Sequence, residues 1–307
     1  MKLLITNDSN KIFTDNTELT LSSFTEYGNK FSNIETFELP HSEDDSNEEY
    51  DKLVLFPVTH ITNVWHLMPH MFILYKYLKT NNISCDVLFF IFFKGFYERQ
   101  GNITECIYKD LIFEGLGFDY NKFRCIYDTF KLQKYIKINQ VYHVNENINF
   151  KNEPLFCEFK QTILNNFKLK YTESCNKKIT FVLRKGTREI TNIDFVKEAL
   201  QAYDISYVYL ENHNIKEQLS IIANTDILIG VHGAGLTWCI FMKNKSTLIE
   251  MYPGNSNTDN YSQWCRIANI NYKRLCINIT AGEVRHFRSA TVNINEQQIQ
   301  EIQSYLQ

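Results

Sequence analysis

In the second half of the chain, short apolar runs alternate regularly with stretches of helical character. The strand-like runs occupy residues 179–183, 205–210, 226–230, 247–251 and 272–277. The helical stretches cover residues 191–203, 215–224, 235–242, 261–268 and 295–306. Strands separated by helices of this length are joined by right-handed crossovers, which makes their sheet parallel. The alternation therefore predicts a Rossmann-like domain over residues 179–278, with its ligand at the carboxyl ends of the strands.

A glycine-rich turn follows the third of these strands. Residues 227–237 have the sequence Ile-Leu-Ile-Gly-Val-His-Gly-Ala-Gly-Leu-Thr, with His232 directly before the turn. Gly233 and Gly235 carry no side chain, so a ligand could closely approach the backbone there. The helix expected after the turn directs free N–H groups and the positive end of its dipole toward the same position. This pattern predicts a phosphate-binding site.

Two further polar segments lie at the carboxyl ends of neighbouring strands. Arg184-Lys-Gly-Thr-Arg188 follows the strand over residues 179–183, and Glu250 lies near the end of the strand over residues 247–251. Each segment is a weak signal alone, because loop arginines and lysines are usually just solvated. The carboxyl ends of parallel strands meet at one edge of a sheet. Two arginines and a helix N-terminus at that edge predict a site for a diphosphate.

Two other uses of the glycine turn are excluded by features that the sequence lacks. His-Gly-Ala-Gly could form the oxyanion loop of an esterase, but that chemistry requires a Gly-x-Ser-x-Gly nucleophile elbow, which is absent. A nicotinamide-dependent enzyme is expected to carry Gly-x-Gly-x-x-Gly in its first strand–helix–strand unit. Here the glycines follow the third strand of the domain, and the third glycine of that pattern is missing.

The first half of the chain also predicts an α/β arrangement, from a weaker pattern. Strands are expected over residues 53–58, 86–93 and 124–127, and helices over residues 68–78 and around 103–113. The acidic run over residues 43–49 predicts a solvated loop. Residues 139–178 lack strand periodicity and include one helical stretch over 156–167, so the junction between domains is expected there.

The length and charge of the chain limit its domain count and its partners. A chain of 307 residues can form two domains of about 150 residues each. The predicted domains cover residues 1–160 and 161–284, followed by a C-terminal helix in residues 285–307 that could pack back on the first domain. The net charge of -3 gives no support for a nucleic-acid partner, which would favour a basic surface.

The sequence predicts a cytoplasmic protein without a transmembrane segment. The N-terminal residues become polar before an apolar core of useful length develops, so no signal peptide is expected. The longest apolar run, residues 87–93, is far shorter than the ~18–20 residues of a membrane-spanning helix. The eight cysteines form no C-x-x-C pair and no zinc-site spacing, which favours free thiols in a reducing compartment.

Together these motifs resemble those of the family 61 glycosyltransferases, over about residues 55–280. The resemblance rests on Arg184-x-Gly-x-Arg188 followed by Ile-Thr-Asn, on Gly-Val-His-Gly-Ala-Gly-Leu-Thr over residues 230–237, and on Thr-Leu-Ile-Glu-x-x-Pro over residues 247–253. A fourth match is Asn-Val-Trp-His over residues 63–66. The resemblance implies a GT-B fold, in which two Rossmann-like domains face each other across a cleft and the C-terminal domain holds a nucleotide sugar. It also implies inversion at the anomeric carbon without an essential metal.

The resemblance and the strand ends together give the expected site residues. The donor-binding residues are expected to be Arg184, Arg188, His232, Gly233, Ala234, Gly235, Leu236, Thr237 and Glu250. Arg184 and Arg188 would neutralise the leaving diphosphate, and Glu250 would face the ribose or the sugar or, alternatively, cap the next helix. Inversion requires a general base, which the resemblance places in the first domain. His66 and His70 are the two candidates, with Asn63 as a further cleft residue; members of the family carry Asp near the position of His70.

The sequence thus predicts an inverting, metal-independent glycosyltransferase that transfers a hexosyl or pentosyl group from a UDP-sugar to a hydroxyl. The acceptor would be a glycan, a polysaccharide or a glycoprotein, and no cofactor is expected beyond the UDP-sugar co-substrate. The alternative is a catalytically inactive sugar-nucleotide or glycan-binding protein of the same fold. The missing acid near position 70 is the feature that favours this alternative.

Overall fold

The chain divides into two compact units, Met1–Ile148 and Asn149–Gln307. The computed structural model describes residues 2–5, 11–14, 25–26, 29–30, 35–38, 46–57, 63–84, 87–91, 108–119, 123–125, 135–144, 148–172, 175–254, 260–281 and 290–307. Before residue 51 it describes the backbone only. The strands predicted over residues 86–93 and 124–127 and the helix around 103–113 fall partly outside these ranges.

The described part of the first unit contains a seven-stranded mixed sheet in the order β5-β2-β1-β9-β6-β7-β8 and a separate two-stranded pair, β3-β4. The strands are β1 (Lys2–Ile5), β2 (Lys11–Thr14), β3 (Thr25–Glu26), β4 (Asn29–Lys30), β5 (Glu35–Glu38), β6 (Ser46–Pro57), β7 (Val87–Ile91), β8 (Phe123–Cys125) and β9 (Tyr135–His143). Strands β9, β6, β7 and β8 are parallel, whereas β1 is antiparallel to both β2 and β9. The antiparallel strand departs from the all-parallel pattern expected of a Rossmann-like first domain.

Two strands of this sheet differ from the sequence prediction. β6 begins at Ser46, inside the acidic run that predicts a solvated loop, and it pairs with both β7 and β9. β9 occupies residues 135–143, where no strand is predicted, and its last five residues belong to the segment 139–178 that lacks strand periodicity. The polar first half of β6 is held by hydrogen bonds to β9, and the apolar second half, residues 53–57, also pairs with β7.

The first unit also contains helices α1 (Val64–Thr80) and α2 (Lys109–Leu116). α1 begins four residues earlier than predicted, because Asn63 caps it: its Oδ1 accepts a hydrogen bond of 3.0 Å from the backbone N–H of Trp65. His66 therefore lies in the first turn of the helix and not before it.

The second unit is built on the parallel sheet that the sequence predicts. Its strands are β10 (Ile179–Val182), β11 (Ile205–Val208), β12 (Ile227–Val231), β13 (Thr247–Pro253), β14 (Asn271–Ala281) and β15 (Thr291–Asn293). They are arranged in the order β11-β10-β12-β13-β14-β15; the first five are parallel and β15 is antiparallel to β14. In order of sequence the five parallel strands have the doubly wound order 2-1-3-4-5, whose direction reverses between β10 and β12.

Helices cover this sheet. They are α3 (Phe156–Asn166), α4 (Ile193–Ala199), α5 (Ile215–Ala223), α6 (Asn260–Ile267) and α7 (Glu296–Leu306). One sheet face forms a buried apolar cluster with residues of α4 and α7, including Val196, Ile299 and Ile302. The segment Ala234–Phe241 packs against the other side: Leu236 lies beside Gly230, where an added Cβ would come within 2.8 Å of its Cδ2.

The unit boundary differs from the predicted domain boundary at residue 160, which would divide α3. Phe156 and Phe159 on this helix are fully buried, and the rings of Phe156 and Trp264 lie 5.8 Å apart, so α3 belongs to the second unit. The C-terminal helix α7 likewise places Ile299 and Ile302 in the core of the second unit.

Candidate functional site

Two loops meet at the carboxyl edge of the second sheet, on either side of the point where the strand order reverses. One loop follows β10 and carries Arg184 and Arg188; the other follows β12 and carries His232 and Gly233. Doubly wound sheets bind ligands in the crevice at this point. The structure therefore brings the predicted arginine loop and glycine turn to the position that the fold favours for a ligand.

Arg184 and Gly233 are in direct contact. A Cβ added to Gly233 would lie 2.1 Å from Nη1 and 2.8 Å from Cζ of Arg184, so the guanidinium occupies the space above this glycine. The backbone of Gly233 is extended, with φ 164° and ψ 163°, a conformation open to any residue. Glycine is needed at position 233 because a larger side chain would collide with the guanidinium, and not because of the backbone conformation.

The arginine loop is fixed at both ends. Arg184 Nε donates to the carbonyl of Thr187 over 3.1 Å, and burial lowers the pKa of the guanidinium while Tyr261 and Glu211 oppose that shift. Arg188 has a left-handed backbone with φ 53°, and its N–H donates to the carbonyl of Ala290 over 2.6 Å. These bonds hold the two arginines of one loop at the edge of the sheet.

His232 is held by the buried carboxylate of Glu250, which the half-buried Tyr272 of the next strand also contacts. Its Nδ1 hydrogen-bonds Oε1 of Glu250, and the hydroxyl of Tyr272 donates to Oε2 of the same carboxylate over 2.5 Å. Glu250 is 1% exposed. Both carboxylate oxygens have protein partners, so Glu250 neither faces open space for a ribose or sugar nor caps α6, which begins ten residues later at Asn260. Its observed role is to position His232.

Aromatic rings surround the imidazole of His232. The rings of His232 and Tyr252 have centroids 4.7 Å apart, and Arg274 Cζ lies 4.2 Å from the centroid of Tyr252. Tyr261 meets the imidazole edge-on at 5.6 Å, and its hydroxyl donates to the carbonyl of Gly233 over 2.6 Å. Burial raises the pKa of Tyr261, and the positive charge of Arg188 opposes this shift. Tyr261 thus hydrogen-bonds the glycine turn and also interacts electrostatically with Arg184 and Arg188.

The segment after the turn is a 3-10 helix, Ala234–Phe241, and not the predicted α-helix. Leu236 and Thr237 are buried, and the N–H of Leu236 donates to the carbonyl of Gly233 over 2.9 Å. These two predicted donor-binding residues are therefore structural. His232, Ala234 and Gly235 are half-buried and remain the parts of the turn that a ligand can approach.

The three predicted site residues of the first unit lie at the start of α1. Asn63 forms the N-cap, which gives it a structural role. His66 is half-buried in the first turn, and His70, one turn later, is only 6% exposed.

Sequence reasoning missed Tyr252, Tyr261, Tyr272 and Arg274. Tyr272 and Arg274 lie in the predicted strand over residues 272–277, Tyr252 directly follows the predicted strand over residues 247–251, and Glu250 pairs with Arg274 in the register between β13 and β14. The available signal was alternation: residues two apart on a strand share a face, so Tyr252 lies on the same side as Glu250. The alternating pairs Glu250 and Tyr252 on β13, and Tyr272 and Arg274 on β14, could have indicated that this face of the sheet is polar and belongs to the site.

The family model for glycosyltransferase 61 matches residues 57–249, more than half of the chain. The chain belongs to the glycosyltransferase 61 family. The match covers both arginines of the β10 loop, the glycine turn and the segment Asn63–His66.

Similar proteins carry the names of glycosyltransferases. The chain is 35% identical over 128 residues to the EGF domain-specific O-linked N-acetylglucosamine transferase of Drosophila melanogaster, which covers 40% of this chain and 24% of the fly protein. It is 33% identical over 81 residues to the alpha-1,3-arabinosyltransferase XAT2 of Oryza sativa subsp. japonica, covering 25% of this chain and 14% of the rice protein. The chain thus spans about a quarter or less of the relatives that it matches.

Among solved structures, the bacterial iron-containing dodecameric glycosyltransferase TibC of enterotoxigenic E. coli aligns with 78% of this chain and 66% of its own. The TM-score is 0.33 at 10% identity, too low to support an argument. In the described ranges, no helix is long and apolar enough to cross a membrane. In the same ranges, no three His, Cys, Asp or Glu side chains are grouped as a metal site would require.

Proposed function

We propose that this member of the glycosyltransferase 61 family transfers a sugar from a UDP-sugar to a hydroxyl of a glycan, polysaccharide or glycoprotein, with inversion and without a metal. The observation that carries the proposal is the contact between Arg184 and Gly233 at the switch point of the second sheet. It places a guanidinium and a glycine turn together, as recognition of a diphosphate requires.

The leaving group of this reaction is a diphosphate, and its charge must be neutralised as the glycosidic bond breaks. Arg184 and Arg188 supply positive charge, and Ala234 and Gly235 of the turn are half-buried. Fixed charges in a partly buried site stabilise developing negative charge effectively. We propose that these groups perform the neutralisation that a divalent cation performs in other transferases.

The acceptor is activated by a general base. The hydroxyl oxygen attacks the anomeric carbon, its proton passes to the base, and the electron pair of the breaking bond leaves with UDP. Of the two predicted bases, we favour His66, because it is half-buried at a helix start whereas His70 is 6% exposed. We further propose a GT-B arrangement of the two units, as the family resemblance implies.

An assay of UDP release tests the proposal. The purified protein is incubated with a panel of UDP-sugars and acceptors in the presence of EDTA. UDP-N-acetylglucosamine and UDP-arabinose come first, because the relatives are named for these sugars. We expect acceptor-dependent UDP release that Arg184→Ala abolishes, and a product of inverted anomeric configuration by NMR. If UDP release required an added divalent cation, the proposed metal independence would be refuted, but the proposed sugar transfer would not.

Binding of UDP without turnover, with all acceptors tried, would instead support the inactive binding protein. We also propose a cytoplasmic location; the described cysteines, including the buried pair Cys239 and Cys265, are free thiols, as in a reducing compartment. Fractionation of cells that express a tagged full-length protein tests this location.

A further inference from the structure

The loop after β11 begins at the same edge of the sheet as the arginine loop. β10 and β11 are parallel and in register up to Val182 and Val208. The N–H of Leu183 then donates to the carbonyl of Val208 over 2.8 Å, so the two strands end side by side. The β11 loop starts at Tyr209 and continues through the 3-10 turn Leu210–Asn212.

Side chains of the β11 loop, residues 209–212, contact both loops of the candidate site. Lys185 Nζ lies 4.5 Å from the centroid of the Tyr209 ring, which joins the β11 loop to the arginine loop. Leu210 Cδ1 lies 3.9 Å from the position that a Cβ on Gly235 would take, which places it against the glycine turn. The three loops therefore form one continuous surface at the carboxyl edge of the sheet.

Glu211 is the carboxylate of the β11 loop and, unlike Glu250, it is exposed. It interacts electrostatically with the guanidinium of Arg184. Both oxygens of Glu250 are already bonded to protein side chains. Because an ionised carboxylate only accepts hydrogen bonds, Glu211 can bind hydroxyl groups of a ligand but repels its phosphates.

A nucleotide whose diphosphate lies at the glycine turn can extend its nucleoside toward β13 or toward β11. Toward β13 the strand end is occupied, since Tyr252 is 1% exposed and Arg274 Cζ lies 4.2 Å from the centroid of its ring. Toward β11 the strand end carries the exposed Glu211 and the half-buried Tyr209. The β11 side is therefore the one that offers accessible polar groups to a nucleoside.

We propose that Glu211 accepts hydrogen bonds from the 2′- and 3′-hydroxyls of the ribose of the UDP donor and so selects a ribonucleotide. The inference rests on the proposed function, since it requires UDP at the glycine turn. Two vicinal hydroxyls match the two oxygens of one carboxylate. Doubly wound dinucleotide-binding domains hold a ribose hydroxyl by an acidic residue about twenty residues after the phosphate-binding turn, and Glu211 lies 23 residues after Arg188. Glu211 thus takes the contact with ribose that the sequence predicts for Glu250.

Ligands that lack single parts of UDP test this contact in the unaltered protein. Calorimetric titration compares UDP, 2′,3′-dideoxy-UDP and inorganic pyrophosphate. UDP should bind about tenfold more tightly than the dideoxy compound, because only UDP can donate to the carboxylate. Equal affinities of UDP and dideoxy-UDP would overturn the inference alone. Absence of UDP binding to the wild type would overturn the proposed function and this inference together.

Glu211→Ala separates recognition of the ribose from an electrostatic effect on Arg184. The variant should bind UDP about 3- to 10-fold more weakly than the wild type and should bind UDP and dideoxy-UDP within about twofold of each other. It should bind pyrophosphate at least as tightly as the wild type, because a repulsive charge is removed. A parallel change in the affinities for UDP and pyrophosphate, in either direction, would show that Glu211 acts only through Arg184 and would overturn the inference. Glu198→Ala is the matched control, since Glu198 is an exposed residue of α4 in the same unit, and it should change none of these affinities.

Discussion

Replacing Gly233 by alanine tests whether this glycine exists to admit the guanidinium of Arg184. The new Cβ would lie 2.1 Å from Nη1 and 2.8 Å from Cζ, against an ordinary contact of about 3.5 Å. The guanidinium must therefore move by more than about 1 Å, and the bond of Nε to the carbonyl of Thr187 is strained or lost. Because the extended backbone of Gly233 suits alanine, the effect is confined to the position of Arg184.

The displacement should remove a charge-assisted hydrogen bond to the diphosphate, about 1.5–3 kcal/mol of binding free energy. UDP affinity should then fall by roughly 10- to 150-fold. The free energy of unfolding should change by less than about 1 kcal/mol, since the displaced atoms are the end of a flexible side chain. Calorimetric titration with UDP and chemical denaturation measure the two quantities separately.

Gly235 offers a matched control two residues away. A Cβ there meets only Leu210 Cδ1, at 3.9 Å, an ordinary contact. Because Gly235 is itself part of the turn that a ligand approaches, Gly235→Ala adds a Cβ at the turn without displacing Arg184, and we expect it to lose less UDP affinity than Gly233→Ala. If Gly233→Ala bound UDP with wild-type affinity, or if both variants lost affinity equally, the assigned role of the contact between Gly233 and Arg184 would be refuted.

Three further predictions concern single side chains. Arg184→Ala and Arg188→Ala should each weaken UDP binding by ~1.5–3 kcal/mol, and unchanged calorimetric affinity in both would contradict the donor site. Tyr261→Phe removes the 2.6 Å hydrogen bond to the carbonyl of Gly233, so it should lower the free energy of unfolding by about 1 kcal/mol and reduce UDP affinity. If chemical denaturation and calorimetric titration gave wild-type values for both quantities, this hydrogen bond would not be needed to hold the turn. Burial lowers the pKa of Lys160 from 10.5 to about 8 in the folded protein. Between pH 8 and pH 10.5 the unfolded chain therefore binds more protons than the folded protein, so the free energy of unfolding should rise with pH, by about 2 kcal/mol from pH 7 to about pH 9.5. Denaturation of the wild type and Lys160→Met across this range should show the rise only in the wild type; parallel curves would rule out the assigned cause.

The sequence allowed the parallel sheet of the second unit to be predicted because β10 and β12 are uninterrupted buried runs and β13 is buried from Leu248 onward. The carboxyl ends of these strands then indicated that Arg184 and the glycine turn lie at the same edge of the sheet. The polar first half of β6 and the strand β9 were harder to predict, since pairing within the sheet stabilises them and neither is an uninterrupted apolar run. Single-sequence periodicity contains no record of such pairing.

The sequence indicated that Arg184, His232 and Gly233 lie at one edge of the sheet, but it did not predict their contacts. Glu250 was expected to face the ligand, yet its carboxylate hydrogen-bonds His232 and Tyr272. That arrangement depends on the register of β13 and β14, which joins segments 22 residues apart in sequence. Residues 235–242 were expected to form a helix, but residues 234–241 form a 3-10 segment in which every residue from Leu236 onward is buried.

The pattern Thr191-x-x-Asp194 shows the same limit at a helix start. It is typical of a capping box, but the cap residue of α4 is Asn192, and no side-chain cap bond forms there. Asn192 instead pairs with the backbone of Ile294, and Thr191 donates to the carbonyl of Val292, about 100 residues later. Thr191 and Asn192 therefore hydrogen-bond residues that are distant in sequence and do not form the local capping box.

A crystal structure of the protein with UDP in the presence of EDTA tests the central claim most directly. The account predicts that the diphosphate lies at the glycine turn, within hydrogen-bond distance of the guanidinium of Arg184, with no metal ion beside it. A diphosphate bound elsewhere, or UDP that binds only when a divalent cation is restored, would contradict it.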